Sequence, residues 1–223
     1  MPLSHTVEML GVLGTSSYLA ARLARASRLA GFHRYAILAQ PRASLPVMPR
    51  GYRVEVLDPA ALAGHTVDAD PATQARRFAA GLTCLGVFEP RSALTGVVWL
   101  GAGSYHEDEV AVRFQLPTRC CWDTGLWIEP SRRMGRSFAA LWAGVGAWME
   151  GHGFSHSLSR IADYNLPALT AHRRMGGTVL AHHSFVRLGR WQWSRTSRPR
   201  LVRLAPAAPP PVLDLTALLD GLD

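Results

Sequence analysis

Residues 121–150 combine a strand, a basic turn and a helix in direct succession, and this order constrains the fold more than any other feature. Apolar and turn residues predict a strand at Cys121–Ile128, a turn at Glu129–Ser137 and a helix at Phe138–Glu150. Free N–H groups at such a helix start, beside three arginines, favour an anion with two phosphates. Gly135 lets the backbone approach that ligand closely. A solvated helix start that happens to be basic is the simpler alternative.

The remaining segments predict a mixed α/β chain with a proline-rich end. Residues 6–30 predict a helix or a helix pair interrupted near Gly11 and Gly14. Further strands are predicted at Tyr35–Ala39, Tyr52–Leu57, Thr83–Phe88, Leu94–Leu100, Val110–Leu116, Phe154–Ile161 and Thr178–Leu188, and helices at Asp70–Gly81 and Asn165–Met175. From Ser197 the composition predicts a flexible or polyproline tail, in which Leu213–Leu222 could form one short docking helix.

The basic residues exclude several classes of enzyme. The chain has 24 basic and 16 acidic residues, a net charge of +8, and every basic residue is arginine. Without lysine it cannot be a P-loop NTPase, a protein kinase or a Schiff-base pyridoxal enzyme. An arginine-only bias also suits a GC-rich coding sequence, so we expect no nucleic-acid partner from the bulk charge.

The cysteine and histidine patterns predict no metal. Cys84, Cys120 and Cys121 form neither a C-x-x-C motif nor an even set. His182 and His183 are adjacent, so on a strand their side chains point to opposite faces. The sequence shows no signal peptide and no apolar run of about 18 residues, which predicts a cytoplasmic protein without a membrane span. A homodimer is left open.

Two motifs in the right order resemble those of the GNAT superfamily of acyl-CoA-dependent N-acyltransferases. The run Arg132-Arg-Met-Gly-Arg-Ser137 resembles the [Q/R]-x-x-G-x-[G/A] pyrophosphate loop of that family, and Trp127-Ile-Glu-Pro130 resembles the strand end before it. About thirty residues later, Asn165-Leu-Pro-Ala168 with His172, Arg174 and Gly176 follows the family's next helix motif. The resemblance covers about residues 50–195 and assigns 46–196 to the acyltransferase domain, 1–45 to a helical extension with linker, and 197–223 to the tail.

The resemblance implies a fold, a reaction and a binding site. The fold is α/β (α+β), with a central, bent, mostly antiparallel mixed sheet flanked by helices and an N-terminal helical extension. The reaction transfers an acetyl or other acyl group from acyl-CoA to an amine, which attacks the thioester directly. The implied cofactor-binding residues are the backbone of Leu126, Trp127 and Ile128 for pantetheine, the loop Arg132, Arg133, Met134, Gly135, Arg136 and Ser137 for pyrophosphate, and Asn165.

Departures from the family pattern determine the catalytic candidates. His172 stands where many members have a tyrosine that protonates the departing thiolate, and Tyr164 is a reserve donor. Ser137 replaces the usual glycine or alanine and offers a further hydroxyl to phosphate. Asp123 is the candidate general base, and the acidic run Glu107–Glu109 could attract a cationic amine.

Three alternatives stay open. Ser137 with Asp163 and His172 follows the order of a serine hydrolase, although only about 86 residues remain after Ser137. A non-catalytic CoA-binding or basic nucleic-acid-binding module is the second. Third, Trp191 and Trp193 near arginines could form a stacking surface for bases rather than a packed edge. The sequence does not indicate the acceptor or the acyl chain length.

Overall fold

A computed structural model describes residues 3–27, 30–67, 69–133 and 135–219. The helices are α1 (Leu3–Ser27), α2 (Pro59–Ala63), α3 (Pro71–Ala79), α4 (Ser137–Gly151) and α5 (Leu166–Arg174). The strands are β1 (Ala30–Pro41), β2 (Arg53–Leu57), β3 (Thr83–Phe88), β4 (Leu94–Ala102), β5 (Ser104–His106), β6 (Arg113–Gln115), β7 (Cys120–Ile128), β8 (His156–Ala162), β9 (Thr178–Leu188), β10 (Trp191–Thr196), β11 (Leu201–Pro206) and β12 (Val212–Asp214). The chain divides into a first unit, Met1–Ala39 with Ser104–Leu116 and Arg160–Asp223, and a second unit, Gln40–Gly103 with Pro117–Ser159.

The second unit is a mixed sheet covered by α4. Strands β2, β3, β4 and β7 pair antiparallel in that order, and β7 pairs parallel with the start of β8. Helix α4 packs on this sheet and buries Leu141, Trp142 and Met149 completely. Gly144 lies against Val54, where a Cβ would overlap the valine side chain. Glycine at this position therefore lets α4 approach β2 closely.

The first unit combines an antiparallel sheet with a small three-stranded one. Strands β11, β10, β9 and β1 pair antiparallel in that order. In the small sheet β6 pairs antiparallel with β5 and parallel with β12. Phe114 and Phe185 are fully buried, and Leu169 of α5 packs with Ala36 and Leu38 of β1. Helix α1 is kinked at Gly11, whose backbone has φ 67° and ψ 174°.

The fold class agrees with the sequence prediction: a mixed, mostly antiparallel sheet flanked by helices, with an N-terminal helix. The strand Thr83–Phe88 has the predicted bounds, and the break predicted near Gly11 is present. Of the strand predicted at Val110–Leu116, only β6 (Arg113–Gln115) is present. A second short strand, β5 (Ser104–His106), precedes it and pairs with it. None of the described helices is long and apolar enough to cross a membrane.

The prediction of a flexible tail with a docking helix is wrong for the described residues. Strand β11 pairs with β10 along its length, and β12 pairs with β6. Leu213 and Leu215 are buried, so they stabilise this end of the chain through apolar packing. A 3-10 turn at Thr216–Leu218 stands where the helix was predicted, and residues 220–222 lie outside the described ones. The domain boundaries after residues 45 and 196 stay predictions.

Candidate functional site

The start of α4 exposes backbone donors in the second unit. The helix begins at Ser137, and the side chain of its N-cap residue, Arg136, makes no capping hydrogen bond. The N–H of Ala140 donates to the carbonyl of Arg136 at 2.8 Å. The N–H groups before it point toward the positive end of the helix dipole without an intrahelical acceptor. An anion is the ligand that such a helix start favours.

The three arginines of the preceding turn are all exposed but differ in their partners. Arg132 Nη2 lies 3.1 Å from Glu89 Oε1, so a carboxylate already shares its charge. Arg133 Nε donates to the carbonyl of Ile128 at 3.2 Å and ties the turn to the end of β7. Arg136 makes no ion pair within the described residues. Its charge is therefore the most available to a bound anion.

Gly135 and its neighbours define how closely a ligand can approach the turn. Gly135 is exposed, and its N–H donates to the Arg132 carbonyl at 2.9 Å. A Cβ at this position would lie 3.2 Å from that carbonyl oxygen. A methyl group is therefore tight but tolerable, whereas a long side chain would project from the exposed turn. Met134, which the resemblance also assigns to the loop, lies outside the described residues.

Ser137 does not have the environment that two of the sequence hypotheses require. It is 1% exposed, and its Oγ is buried with no hydrogen-bond partner among the described residues. An enclosed hydroxyl can contact neither a phosphate nor a hydrolase substrate. The prediction that the Ser137 hydroxyl contacts phosphate is therefore wrong. Only the backbone N–H of Ser137 remains available to an anion. Asp163, the acid of the hydrolase hypothesis, accepts from Ser17 at 3.0 Å and from Arg34 at 3.2 Å.

Strand β7 is interrupted by a bulge where the thioester-binding backbone is expected. Val97 pairs with Trp127 and Trp99 with Thr124, so two steps along β4 face three along β7. Gly125 lies in this bulge with φ +57°, a conformation that favours glycine. The parallel ladder with β8 ends at Trp122. Leu126 also lies in the bulge, and Trp127 and Ile128 follow it; Leu126 and Trp127 are half-buried.

Arg77 of α3 is a residue at this bulge that the sequence did not predict. A Cβ at Gly125 would overlap the Arg77 guanidinium, so that group lies directly against the bulge. The Cζ atom lies 5.5 Å from the ring centroid of Trp99, and the Phe78 ring packs edge-on against the same tryptophan. Nothing in the sequence of α3 points to this contact, because helix and bulge are almost fifty residues apart.

Asp123 is a buried carboxyl group on the same strand. It is 5% exposed, and the Ser157 hydroxyl donates to its Oδ2 at 2.6 Å. Burial raises the pKa of Asp123 to about 7, while the hydroxyl bond favours the ionised form. Such a carboxyl is about half ionised at neutral pH, which is the range in which a general base is most effective.

The other site candidates belong to the first unit. Asn165 is exposed and caps α5, its Oδ1 accepting from the Ala168 N–H at 3.4 Å. Tyr164 is half-buried, with its ring edge-on to Tyr18 at 5.9 Å. His172 is buried, and burial lowers its pKa to about 4. Its ring is therefore neutral at pH 7 and does not act as an imidazolium.

The acidic run Glu107–Glu109 combines one buried residue, Glu107, with two exposed ones. Glu107 is buried and ion-paired with Arg160. Glu109 Oε2 lies 3.2 Å from Arg160 Nη1 and accepts from the Tyr35 hydroxyl at 2.7 Å. Its hydrogen bond with His33 and the Arg160 charge lower the pKa of Glu109 to about 2. Glu107 and Glu109 thus form ion pairs within the first unit, and the attraction of a cationic amine by this run stays a prediction.

The adjacent histidines have separate environments, as the strand geometry predicts. His183 is buried, stacks on Phe114 and lies 2.8 Å from the Arg198 carbonyl through Nε2. His182 is exposed on the opposite face. Over the described ranges, no group of three or more His, Cys, Asp or Glu side chains could hold a metal ion.

Comparison with solved structures identifies similar folds. The chain matches the GCN5-related glucosamine N-acetyltransferase region of a fungal multi-domain GH3 β-N-acetylglucosaminidase with a TM-score of 0.50 and 9% identity, over 74% of this chain and 22% of that one. It also matches GCN5-related N-acetyltransferases from Sphaerobacter thermophilus (TM-score 0.47, 14% identity, 77% and 56% covered) and Kribbella flavida (0.43, 15%, 73% and 60%). The chain thus spans less than two thirds of these proteins. No family model and no curated protein matches it.

Proposed function

The chain has the fold of the GCN5-related N-acetyltransferase (GNAT) superfamily, and from this premise we propose that it transfers an acyl group from acyl-CoA to an amine. At these low identities the structural likeness concerns the fold. The reaction is proposed on the residues of the second unit. Acetyl-CoA is the simplest donor, and the acceptor is a primary amine.

The observation that carries the proposal is the uncapped start of α4 behind an exposed arginine turn. Backbone donors and the guanidinium of Arg136 suit the pyrophosphate of CoA, because charge-assisted hydrogen bonds are roughly twice as strong as neutral ones. The arginine turn comes directly after the end of β7, the strand that carries the bulge. One continuous segment, 121–137, therefore supplies both a phosphate site and an irregular strand whose backbone can bind a thioester.

The proposed chemistry needs a neutral amine and a group that accepts its proton. The amine nitrogen attacks the thioester carbon, a C–N bond forms, and the C–S bond breaks as CoA leaves as a thiolate. Backbone N–H groups beside the bulge would stabilise the negative charge on the carbonyl oxygen. Asp123 would accept the proton that the amine loses, directly or through water, because its pKa lies near neutral pH.

The proton donor for the departing thiolate stays a prediction, with His172 and Tyr164 as its candidates. The parent thiol has a pKa of about 8.5, so a donor assists departure at neutral pH. His172 is neutral at pH 7 and is a weaker acid in that form than as an imidazolium.

A thiol-release assay with acetyl-CoA tests the proposed function. The panel contains amines with and without a carboxylate, because Arg77 places a positive charge against the bulge. We expect free CoA to appear in step with an acetylated amine identified by mass spectrometry. Acetyl-CoA binding without turnover on the whole panel would favour the non-catalytic module. Absence of both binding and turnover would contradict the proposal.

A further inference from the structure

The first unit contains a second candidate ligand site, and its evidence is independent of the proposed acyltransferase function. A half-open groove of about 850 Å³ lies on one face of strands β1, β9, β10 and β11, with Leu13 of α1 at its side. Small-molecule sites have volumes of about 300–1,000 Å³. The eleven residues that line the groove include three arginines and no carboxylate.

Cross-strand pairing explains the apolar part of the groove. Phe32 pairs with Val186, Val186 with Trp193, and Trp193 with Leu204, so four side chains form a row across four strands. Phe32 and Trp193 line the groove. Leu204, at the β11 end of the row, is 67% exposed. The row presents flat aromatic surface that a planar ligand can stack on.

The next row of the same face carries positive charge. Arg34 pairs with Ser184, and Ser184 pairs with Arg195, so a hydroxyl lies between two arginines. Arg34 Nε lies 3.2 Å from Asp163 Oδ2, and this carboxylate offsets part of its charge. Arg195 and Arg200 are exposed and make no ion pair in the part of the chain that the structure describes. Planar guanidinium groups match carboxylate and phosphate oxygens in pairs.

We propose that this groove binds a small aromatic anion, with its ring on Trp193 and Phe32 and its carboxylate or phosphate held by Arg195, Arg200 and the Ser184 hydroxyl. The two rows are adjacent along the strands, two residues apart on β1, β9 and β10, which is about 7 Å. A ligand therefore needs only a ring and an anionic group separated by a short link. Nucleoside monophosphates and aromatic carboxylic acids share this chemistry.

Calorimetric titration with AMP and 1-naphthoate tests the proposal on the full chain. The Gly135→Glu variant serves as the background, so that the α4 turn contributes no phosphate binding. We expect at least one of the two anions to bind, and its neutral counterpart, adenosine or 1-naphthamide, to bind at least about tenfold more weakly. Binding of AMP alone would identify a phosphate site, and binding of naphthoate alone a carboxylate site. Either result supports the groove.

Matched variants locate the binding. Arg195→Gln should weaken binding of the anion by about tenfold or more. Trp193→Leu should also weaken binding, because the ligand loses the aromatic ring on which it stacks. Arg187→Gln is the control, because Arg187 is an exposed arginine of β9 that neighbours Val186 and points to the opposite face. Circular dichroism checks that each variant is folded.

Three results would overturn the proposal. The first is that neither anion binds, the second is that the neutral counterpart binds as well as the anion, and the third is that Arg187→Gln loses as much affinity as Arg195→Gln. If neither anion binds but a ten-residue oligothymidylate does, the surface is assigned to single-stranded nucleic acid instead.

Discussion

The α4 turn of the second unit and the groove of the first unit are both rich in arginine, yet they offer different chemistry. The turn combines backbone N–H donors at a helix start with three exposed guanidinium groups from one short segment, residues 132–136. The groove has no helix terminus, and its arginines stand beside aromatic rings contributed by separate strands. The turn therefore selects for phosphate charge, whereas the groove selects for an anion joined to a flat ring. A variant of one surface should leave ligand binding at the other unchanged.

The largest effect is expected for Gly135→Glu in the turn. The glutamate adds bulk and a negative charge where the backbone must approach pyrophosphate, so acetyl-CoA affinity should fall by at least about a hundredfold. Gly135→Ala is the matched control, because its Cβ meets only the Arg132 carbonyl at 3.2 Å. Calorimetry measures both variants, and naphthoate binding should be equal in the two. Unchanged acetyl-CoA affinity in Gly135→Glu would remove the turn from the site.

Asp123→Asn should cut the catalytic rate by about a hundredfold. It should change neither the affinity for acetyl-CoA nor ligand binding at the groove of the first unit. A general base must be ionised, so the rate of the native enzyme should rise with pH through about 7, the raised pKa of Asp123. The asparagine variant should lose that rise. Measurement of kcat between about pH 6 and 9 tests both points, and a retained rise in the variant assigns the base to another group.

Ser157→Ala distinguishes a base from a buried structural carboxyl. The Ser157 hydroxyl donates to Asp123 and favours its ionised form, so its removal should raise the pKa of Asp123 further. The rise in rate should then move to higher pH while the maximal rate is largely kept. A profile that does not move would indicate that Asp123 is not the titrating group.

The smallest effect is expected for Glu89→Gln. This change releases Arg132 from its ion pair and removes a negative charge beside the turn, so acetyl-CoA should bind about threefold to tenfold more tightly. Glu55→Gln is the control, because Glu55 pairs with Arg53 on β2 of the same unit. Equal affinities in the two variants would show that Arg132 does not contact the bound ligand.

The same contrast explains what the sequence could predict. The turn from Arg132 to Ser137 is contiguous, so its residue types, order and secondary structure could be recognised together. The kink at Gly11 and the strand Thr83–Phe88 were likewise local features. The groove joins Phe32 to Trp193 through strand pairings across about 160 residues, and no local pattern encodes those pairings.

Burial was the other quantity that the sequence did not supply. The predictions for Ser137, Glu107 and His172 rest on residue type alone, and the burial of each side chain changes what it can do. The tail differs from its prediction for a related reason: its prolines favour a flexible segment, but the alternating run Leu201–Pro206 pairs with β10. Composition predicts how the segment would behave in isolation. Its structure in the folded chain depends on pairing with β10 and β6, which composition does not reveal.

Hydrogen–deuterium exchange with and without acetyl-CoA tests the central claim most directly, because it reports on both arginine surfaces at once. The account predicts slower exchange in peptides covering residues 126–140, where the backbone of β7 and the first N–H groups of α4 would bind the ligand, and unchanged exchange in β9 and β10. Unchanged exchange across 126–140 at saturating acetyl-CoA, or protection confined to β9 and β10, would contradict it.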